Sequence, residues 1–207
     1  MERNITVTID NARELYNSGN ENFKKIALQA FSENELKFDF RSITTFKKAC
    51  EVLDINYDDI NSVIEDIIKF SNSKSAAARF KLSIIRRALN LGQDLPFTKN
   101  SKNPLIYYPH NPCVNKNSTL YKGQLNSGKI KIIGKIKVGK TECNILGSST
   151  TCCYANLGFY GTHDELLGCA SKEIAEHFSK YFGMTITEAK YADLKDFEIV
   201  DSYYKTK

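Results

Sequence analysis

The chain has 207 residues, enough for one large domain or two small ones. With 42% hydrophobic and 26% charged residues, its composition is that of a soluble globular protein, and no stretch reaches the roughly 18–20 consecutive apolar residues of a membrane span. The start, MERNITVTIDNARE, lacks the basic and apolar regions of a signal peptide, so we expect a cytosolic or packaged protein whose six cysteines are free thiols.

Residues 1–92 carry the apolar spacing of amphipathic helices. The segments NENFKKIALQAF and SAAARFKLSIIRRALNLG each place apolar side chains on one helical face. In the first segment that face consists of Phe23, Ile26, Ala27, Ala30 and Phe31. Asp10 stands where an N-cap belongs, and the segment SENE has the capping-box spacing. Gly92 is the expected end of the last helix. The sequence therefore predicts a helical domain over residues 1–92.

Residues 93–104 separate two regions of different composition. The segment is polar and contains Pro96 and Pro104, two of the chain's four prolines. Proline and polar residues between periodic segments are typical of loops. We therefore predict a linker or long loop here.

Residues 105–207 change to the spacing of β-strands. The run PLIYYP, bounded by prolines, predicts an edge strand. In KIKIIGKIKVGKTECNIL, lysine alternates with isoleucine or valine, which predicts a hairpin with a bulge at Gly134 and a turn at Gly139 and Lys140. The apolar side chains expected to face inward are Ile130, Ile132, Ile136 and Val138. STTCCYANLGFYG predicts a further strand.

The last predicted helix follows in SKEIAEHFSKYFG, with Ser171 as its cap and Gly183 as its end. Residues 105–207 thus read as an α+β domain. For the whole chain the patterns predict an α+β fold, with a helical N-terminal part followed by an antiparallel β-sheet and a covering C-terminal helix.

Three segments resemble small accessory proteins of Bacteroides phages and prophages, including crAss-like phages. They are TVTIDNARELYNSGNENFKKIALQAFSENEL, FKLSIIRRALNLG followed by YYP, and LGCASKEIAEHFSKYFG. Together they cover about a third of the chain. The lysine-rich hairpin departs from the pattern of these proteins. The resemblance implies a phage protein of a group without an established activity and brings no catalytic residues.

Positive charge is concentrated between residues 101 and 150, which contain eight lysines and one acid. The candidate basic contact surface consists of Lys129, Lys131, Lys135, Lys137 and Lys140. Such a stripe suits nucleic acid, with Tyr107, Tyr108 and Tyr121 available for base stacking. It also suits an acidic capsid surface. The simpler interpretation is a solvated strand face whose lysines deter edge pairing.

The window GSSTTCCYANLGFYGTHDELLGCASKE, residues 147–173, concentrates residues that can carry chemistry. Cys152 and Cys153 would point to opposite faces of a strand, so only one of these sulfurs could serve a zinc site. Cys143, Cys169 and His163 could join it, but no spacing demands that they meet. A nucleophilic Cys169, activated by a helix start and by His163 or His177, is the catalytic alternative. We favour a buried structural role for the cysteines and a solvated or rim position for His177.

The segment GKIKVGKT, residues 134–141, matches the letters of a phosphate loop. Its context does not match, because a phosphate loop opens a helix and a β-like segment follows here. We interpret it as part of the lysine-rich hairpin.

These observations predict a phage accessory protein without enzymatic activity, cofactor or metal. We expect it in the virion, and in the host cytoplasm before assembly, where it would bind other phage structural proteins of the capsid or portal and no membrane. The alternatives are a nucleic-acid-binding protein that uses the lysine hairpin and an inhibitor of a host defence system.

Overall fold

The computed structural model describes residues 9–91, 105–153 and 167–204. The first range forms the helices α1 (Ile9–Asn17), α2 (Glu21–Ala30), α3 (Glu33–Lys37), α4 (Phe46–Val52), α5 (Tyr57–Ser71) and α6 (Lys74–Leu89), with a 3₁₀ turn at Phe40–Ser42. The other two ranges form, in chain order, β1 (Leu105–His110), β2 (Cys113–Asn115), α7 (Lys122–Asn126), β3 (Lys131–Val138), β4 (Thr141–Cys153), α8 (Lys172–Tyr191) and β5 (Phe197–Ser202).

Polar caps define where the helices start and stop. The predicted capping box at the start of α3 is confirmed, because Ser32 accepts from the Glu35 backbone and Glu35 accepts from the Ser32 backbone. Asp10 is not a cap: it lies inside the first turn of α1. Helix α6 ends at the cap residue Asn90, and the predicted end at Gly92 lies outside the described residues.

The five strands form an antiparallel sheet in the order β1–β4–β3–β5, with β2 also paired to β4. Strands β3 and β4 form the predicted hairpin, whose turn residue Gly139 has a φ of 59°. Of the further strand predicted from STTCCYANLGFYG, residues 149–153 are the end of the 13-residue β4, and the remainder lies outside the described residues. With helices before the sheet and α8 packed on it, the α+β fold class is confirmed.

Helix α8 passes through the residue that was predicted to end it. Gly183 lies in the middle of the 20-residue helix, which continues to Tyr191, so that prediction is wrong. A Cβ atom at Gly183 would overlap the side chains of Ile133 and Asn111. The glycine therefore lets the helix approach the sheet closely, and a packing requirement explains it rather than a helix stop.

One hydrophobic core joins the helical part to the sheet. It includes Leu82 and Leu89 of α6, Tyr108 of β1, and Phe178 and Phe182 of α8. Polar contacts tie the same elements together: Ser75 Oγ donates to the Glu188 carbonyl at 3.1 Å, and Arg86 Nε to the Gly168 carbonyl at 3.2 Å. Helix α6 thus packs directly on the second part, while the predicted linker 93–104 lies outside the described residues.

Helix α2 does not bury the face that its spacing predicts. Phe23 and Ile26 are 43% and 47% exposed, whereas Ala27 is fully buried with Ala12 and Leu36. The contact with α1 and α3 needs only the alanine side of the helix. The predicted inward position of Phe23 and Ile26 is therefore wrong.

Candidate functional site

A bulge in β3 divides the candidate lysines between two faces of the sheet. Ile132 pairs with Leu146, but Gly134 pairs with Ile145, so Ile133 is an extra residue in β3. The predicted bulge at Gly134 is therefore confirmed to within one position. Because each side chain points opposite to its neighbour, an extra residue reverses the face on which the following lysines lie.

Before the bulge, β3 turns Lys131 towards α8. Lys131 pairs directly with Gly147, and a Cβ atom on Gly147 would contact Ile133 and the Ser179 hydroxyl of α8. Directly paired residues point to the same side of a sheet. Lys131 therefore shares the face that α8 covers, at its exposed margin.

After the bulge, Lys135 and Lys137 lie on the opposite, outer face. Their neighbour Ile136 is fully buried on the α8 side, against Cys143 and Met184. Four side chains of this segment were predicted to face inward. The two that follow the bulge do so, because Ile136 and Val138 pack on the α8 side. Ile130 and Ile132 are packed too, but in a separate cluster with Leu146.

The outer face is not basic, because carboxylates neutralise its lysines. Lys137 pairs directly with Glu142 on one side and Glu198 on the other, and Lys135 pairs with Asp201. Lys116 contacts Glu142, with Nζ 2.9 Å from Oε2. This ammonium group, through its hydrogen bond, lowers the pKa of Glu142. Three lysines thus face three carboxylates.

The start of β3 instead borders a groove that is rich in lysine. The groove has a volume of ≈ 800 Å³ and lies between the start of β3, the loop after α7 and the first turns of α8. Its charged lining consists of Lys129, Lys131, Lys172, Lys180 and Glu176. We call this surface the lysine groove. Four lysines against one glutamate give it a net positive charge, although Lys172 also contacts Glu176 at 3.6 Å.

Of the predicted candidates, the groove gathers only Lys129 and Lys131. Lys140 is exposed in the hairpin turn, at the other end of β3. Lys172 and Lys180 were not predicted, since they belong to a helix far away in sequence. The alternation of Lys172, Glu176 and Lys180 at intervals of four residues was the available signal, because it places all three on one helical face.

The three tyrosines proposed for base stacking have different environments. Tyr108 is 2% exposed and belongs to the central core, so its predicted stacking role is wrong. Tyr107 is half-buried against the same core. Tyr121 lines the lysine groove, where it remains available to a ligand.

Cys169 is a core residue. It is fully buried, its thiol donates to the Leu167 carbonyl at 3.4 Å, and burial raises its pKa to about 12. A thiol with such a pKa stays protonated near neutral pH, which is the opposite of an activated nucleophile. The structural role that we favoured for Cys169 is confirmed by its burial.

The other candidate ligands of a zinc ion do not converge on Cys169. Cys143 packs beside Cys113 in the cluster between β3 and α8, away from the core that holds Cys169. Burial, together with the neighbouring Cys143, raises the pKa of Cys113 to about 12. His163 lies outside the described residues. Within the parts of the chain that the structure describes, no three metal-binding side chains cluster.

The backbones of Cys152 and Cys153 lie at the end of β4, opposite Ile106 and Leu105. The phosphate-loop-like segment 134–141 is also strand and turn: it runs along β3 and through the hairpin into β4. No helix follows Thr141, because β4 begins there. The hairpin interpretation of this segment is therefore confirmed.

His177 is buried, so its predicted solvated or rim position is wrong. It is 9% exposed and lies against the rings of Phe40 and Tyr181, at centroid distances of 5.5 and 4.6 Å. Its Nε2 lies 2.7 Å from the Ile43 carbonyl and donates to it. Burial lowers the pKa of His177. The side chain is therefore neutral near pH 7 and joins α8 to the helical part.

A second surface, missed from the sequence, lies along β5. A cleft of ≈ 330 Å³ between α5, α6, α8 and this strand is lined mainly by the apolar side chains of Ile68, Ala77, Ala78, Phe197 and Ile199. Glu188 lies in its wall, where burial raises the pKa of the carboxyl while Lys81 and Lys74 oppose that shift. We call this surface the β5 cleft.

Helix α5 carries a third surface. Val63, Ile67 and Phe70 lie on one side of the helix, and Phe70 is 81% exposed. Ile64, about 100° round the helix from Val63, is buried and packs against the rest of the fold. Ile67 is half-buried beside it, while Val63 and Phe70 are left largely in solvent, and the three side chains form a continuous apolar stripe. We call it the α5 stripe.

No family model, curated protein or solved structure matches the chain. The resemblance to Bacteroides phage proteins therefore stays a prediction. None of the helices in the described ranges is long and apolar enough to cross a bilayer.

Proposed function

We propose that the chain is an accessory protein that acts by binding other proteins and not by catalysis. The observation that carries this proposal is the α5 stripe, in which Phe70 is 81% exposed. An apolar stripe along a charged helix is a feature of protein contact sites. The buried, protonated Cys169 and the buried His177 also support a role without nucleophilic catalysis.

We place these contacts in a phage particle, with capsid or portal proteins as partners. The support for this step is the resemblance of three sequence segments to phage accessory proteins. The chain would occupy the host cytoplasm before assembly and the virion afterwards.

Mass spectrometry of purified particles tests this proposal. We expect the chain in the particle, and we expect Phe70→Glu to reduce its incorporation at least about tenfold, since a buried aromatic anchor contributes about 2 kcal/mol or more to an interface. Leu120→Glu is the matched control, because Leu120 is 62% exposed and lies far from α5 in the chain. Absence of the unmutated chain from particles would overturn the virion role.

The lysine groove favours a second candidate, a nucleic-acid-binding function. Lys129, Lys131, Lys172 and Lys180 could each neutralise a phosphate, and Tyr121 offers a ring for a base. This site differs from the predicted hairpin stripe, because Lys135 and Lys137 already face carboxylates.

A salt titration with single- and double-stranded DNA tests the second candidate. Replacing both Lys129 and Lys131 by Gln should reduce the magnitude of the negative slope of log K against log salt by about 1.8 for double-stranded and about 1.4 for single-stranded DNA. The matched pair of replacements at Lys135 and Lys137 should change the slope little. No binding by the unmutated chain at low salt would remove this candidate.

A further inference from the structure

Two cysteines of neighbouring strands lie close together on the face of the sheet that α8 covers. Cys113 of β2 pairs directly with Ile145 of β4, and two positions further along Asn115 pairs with Cys143. Cys113 and Cys143 are therefore diagonal neighbours on one face, and both pack in the cluster that contains Ile145. The two thiols also interact, because Cys143 contributes to the raised pKa of Cys113. We call these two cysteines the thiol pair.

The thiol pair is reachable from solvent. Cys113 and Cys143 are half-buried, whereas Cys50 and Cys169 are fully buried. Among the residues that the structure describes, β2 pairs only with β4, so its other side is an open edge of the sheet. A small ion therefore has a path to the thiol pair that the two buried cysteines do not offer.

The spacing of the thiol pair suits a bridging ion better than a disulfide. Diagonal neighbours in an antiparallel strand pair are about 7–8 Å apart. Disulfides usually join Cα atoms that are about 4.4–6.8 Å apart, because the sulfur–sulfur bond is only about 2.05 Å long. Two metal–sulfur bonds of about 2.3 Å, the length known for zinc, would let the sulfur atoms stay about 4.6 Å apart. An ion therefore joins side chains on this diagonal with less distortion of the strands.

The number and kind of ligands favour Cu(I). Thiolate sulfur is a soft ligand, which selects Cu(I) and zinc over harder cations. Structural zinc sites use four ligands. In the described ranges of the chain, no third histidine, cysteine or carboxylate joins Cys113 and Cys143. Because Cu(I) forms stable linear complexes with two thiolates, the thiol pair fits copper and not zinc.

The surroundings of the thiol pair suit such an ion. Val138, Phe197 and Tyr191 pack in the same cluster, so apolar groups limit the access of water to the sulfur atoms. The phenol of Tyr191 lies near both cysteines, and its O–H can donate a hydrogen bond to a thiolate. Binding releases one proton from each thiol, since a metal ion deprotonates a coordinating thiol. Two thiolates and one Cu⁺ leave a complex with a single negative charge.

We propose that the thiol pair binds one Cu(I) ion as a two-coordinate bis-thiolate at the edge of the sheet. Cys113 and Cys143 each supply one sulfur, and Tyr191 donates a hydrogen bond to the complex. The site shares no residue with the lysine groove or the α5 stripe, so this inference goes beyond the proposed function.

The test titrates the reduced, full-length chain with Cu(I) under anaerobic conditions, in competition with the chromophoric chelator bicinchoninic acid. Replacing Cys113 and Cys143 together by serine should remove one bound equivalent of copper, because both ligands are lost. X-ray absorption of the chain loaded with one equivalent should show two sulfur neighbours. An excess of zinc of about tenfold should not displace the copper, because zinc lacks two of its four ligands here.

A matched variant and a measurement on the unmutated chain locate the site. Replacing Cys152 and Cys153 together by serine removes the same number of thiols and should leave this equivalent of copper in place. In the unmutated chain, one equivalent of Cu(I) should protect Cys113 and Cys143 from alkylation by iodoacetamide, as mass spectrometry of the labelled peptides would show. This second measurement does not depend on the folding of a variant.

Four results would overturn this inference. They are the absence of Cu(I) binding in competition with the chelator, equal loss of copper in the two double variants, a nitrogen or a fourth ligand in the X-ray absorption, and alkylation of the thiol pair that copper does not slow. Displacement of the copper by zinc would likewise reject a two-coordinate site. None of these results bears on incorporation into particles, so the proposed accessory function is tested separately.

Discussion

The two ends of β3 carry the same kinds of residue but form different surfaces. At the start of the strand, Lys131 lies beside α8 and, with Lys129, faces a groove that contains one glutamate. At its end, Lys135 and Lys137 lie on the outer face opposite carboxylates of β4 and β5. The extra residue Ile133 causes this difference, because it reverses the face of every later side chain.

The comparison shows that a run of lysines does not define a basic surface until the register of the strand is known. The pattern KIKIIGKIKVGK suggests one continuous stripe, yet one end is charge-balanced and only the other has a net positive charge. Ile133, the extra residue of the bulge, packs against α8 at Gly183. Substitutions that disturb this contact should therefore have the largest effect on the difference between the two ends.

Ile133→Ala should have the largest effect. Ile133 is 2% exposed and packs with Ile136 and Ile145. Its truncation should lower the free energy of unfolding by about 2–5 kcal/mol, through lost burial and the cavity left behind. Urea denaturation measures the change. Ile199→Ala is the control: Ile199 is 37% exposed, so its truncation should cost much less. Equal losses in the two variants would contradict a packed bulge.

Gly183→Ala should have the next largest effect. The new methyl group would overlap Ile133 and Asn111, so we expect a loss of about 1–3 kcal/mol in the free energy of unfolding. The same substitution at Gly123, in the short helix α7, meets nothing within 4 Å. There the gain in helix propensity should stabilise the protein by up to about 1 kcal/mol. A stabilising Gly183→Ala would show that α8 does not need its close approach to the bulge.

Local sequence signals predicted the elements near the bulge but not their contacts. Ser171 caps α8 as expected, because N-capping depends on residues within one turn. Gly183 misled the prediction, since a glycine that ends a helix and one that admits a neighbouring side chain look alike in sequence. Only the position of Asn111 and Ile133 in space distinguishes the two.

In the candidate site, too, local sequence predicted the elements but not the contacts between them. The alternation of lysine with isoleucine or valine predicted the hairpin, and Gly134 predicted the bulge. The partners of each lysine could not be predicted in this way, because they depend on pairing with residues far along the chain. Asp201 faces Lys135 across more than sixty positions of sequence, and Lys172 joins Lys131 only because α8 covers the sheet. His177 was misplaced for a related reason, because its partners Phe40 and Ile43 belong to the helical part.

Replacing the lysines at either end of β3 should change the free energy of unfolding differently at the two ends, and by less than the two substitutions above. Replacing Lys135 and Lys137 by Gln leaves Glu198 and Asp201 without their paired lysines, while Glu142 keeps Lys116, and should destabilise the fold by up to about 1 kcal/mol at low salt. The measurement is urea denaturation at low and high salt, and high salt should reduce the loss.

The matched double replacement of Lys129 and Lys131 supplies the comparison. It relieves repulsion in the lysine groove, so the free energy of unfolding should stay constant or rise slightly. Equal destabilisation by the two double variants, at low salt, would show that the ends of β3 do not differ in charge environment.

The smallest expected effect is the pH dependence of the charge-balanced end. Lys116 lowers the pKa of Glu142 in the folded protein below its unfolded value of about 4.3. A carboxyl with a lowered folded pKa stabilises the fold above its unfolded pKa, and this contribution is lost as the pH falls through the folded pKa. Lys116→Gln should therefore flatten the loss of stability as the pH falls below about 5, as urea midpoints would show. Lys122→Gln, which removes an exposed lysine of α7, should leave the slope unchanged, and an equal flattening there would assign the effect to net charge and not to the contact with Glu142.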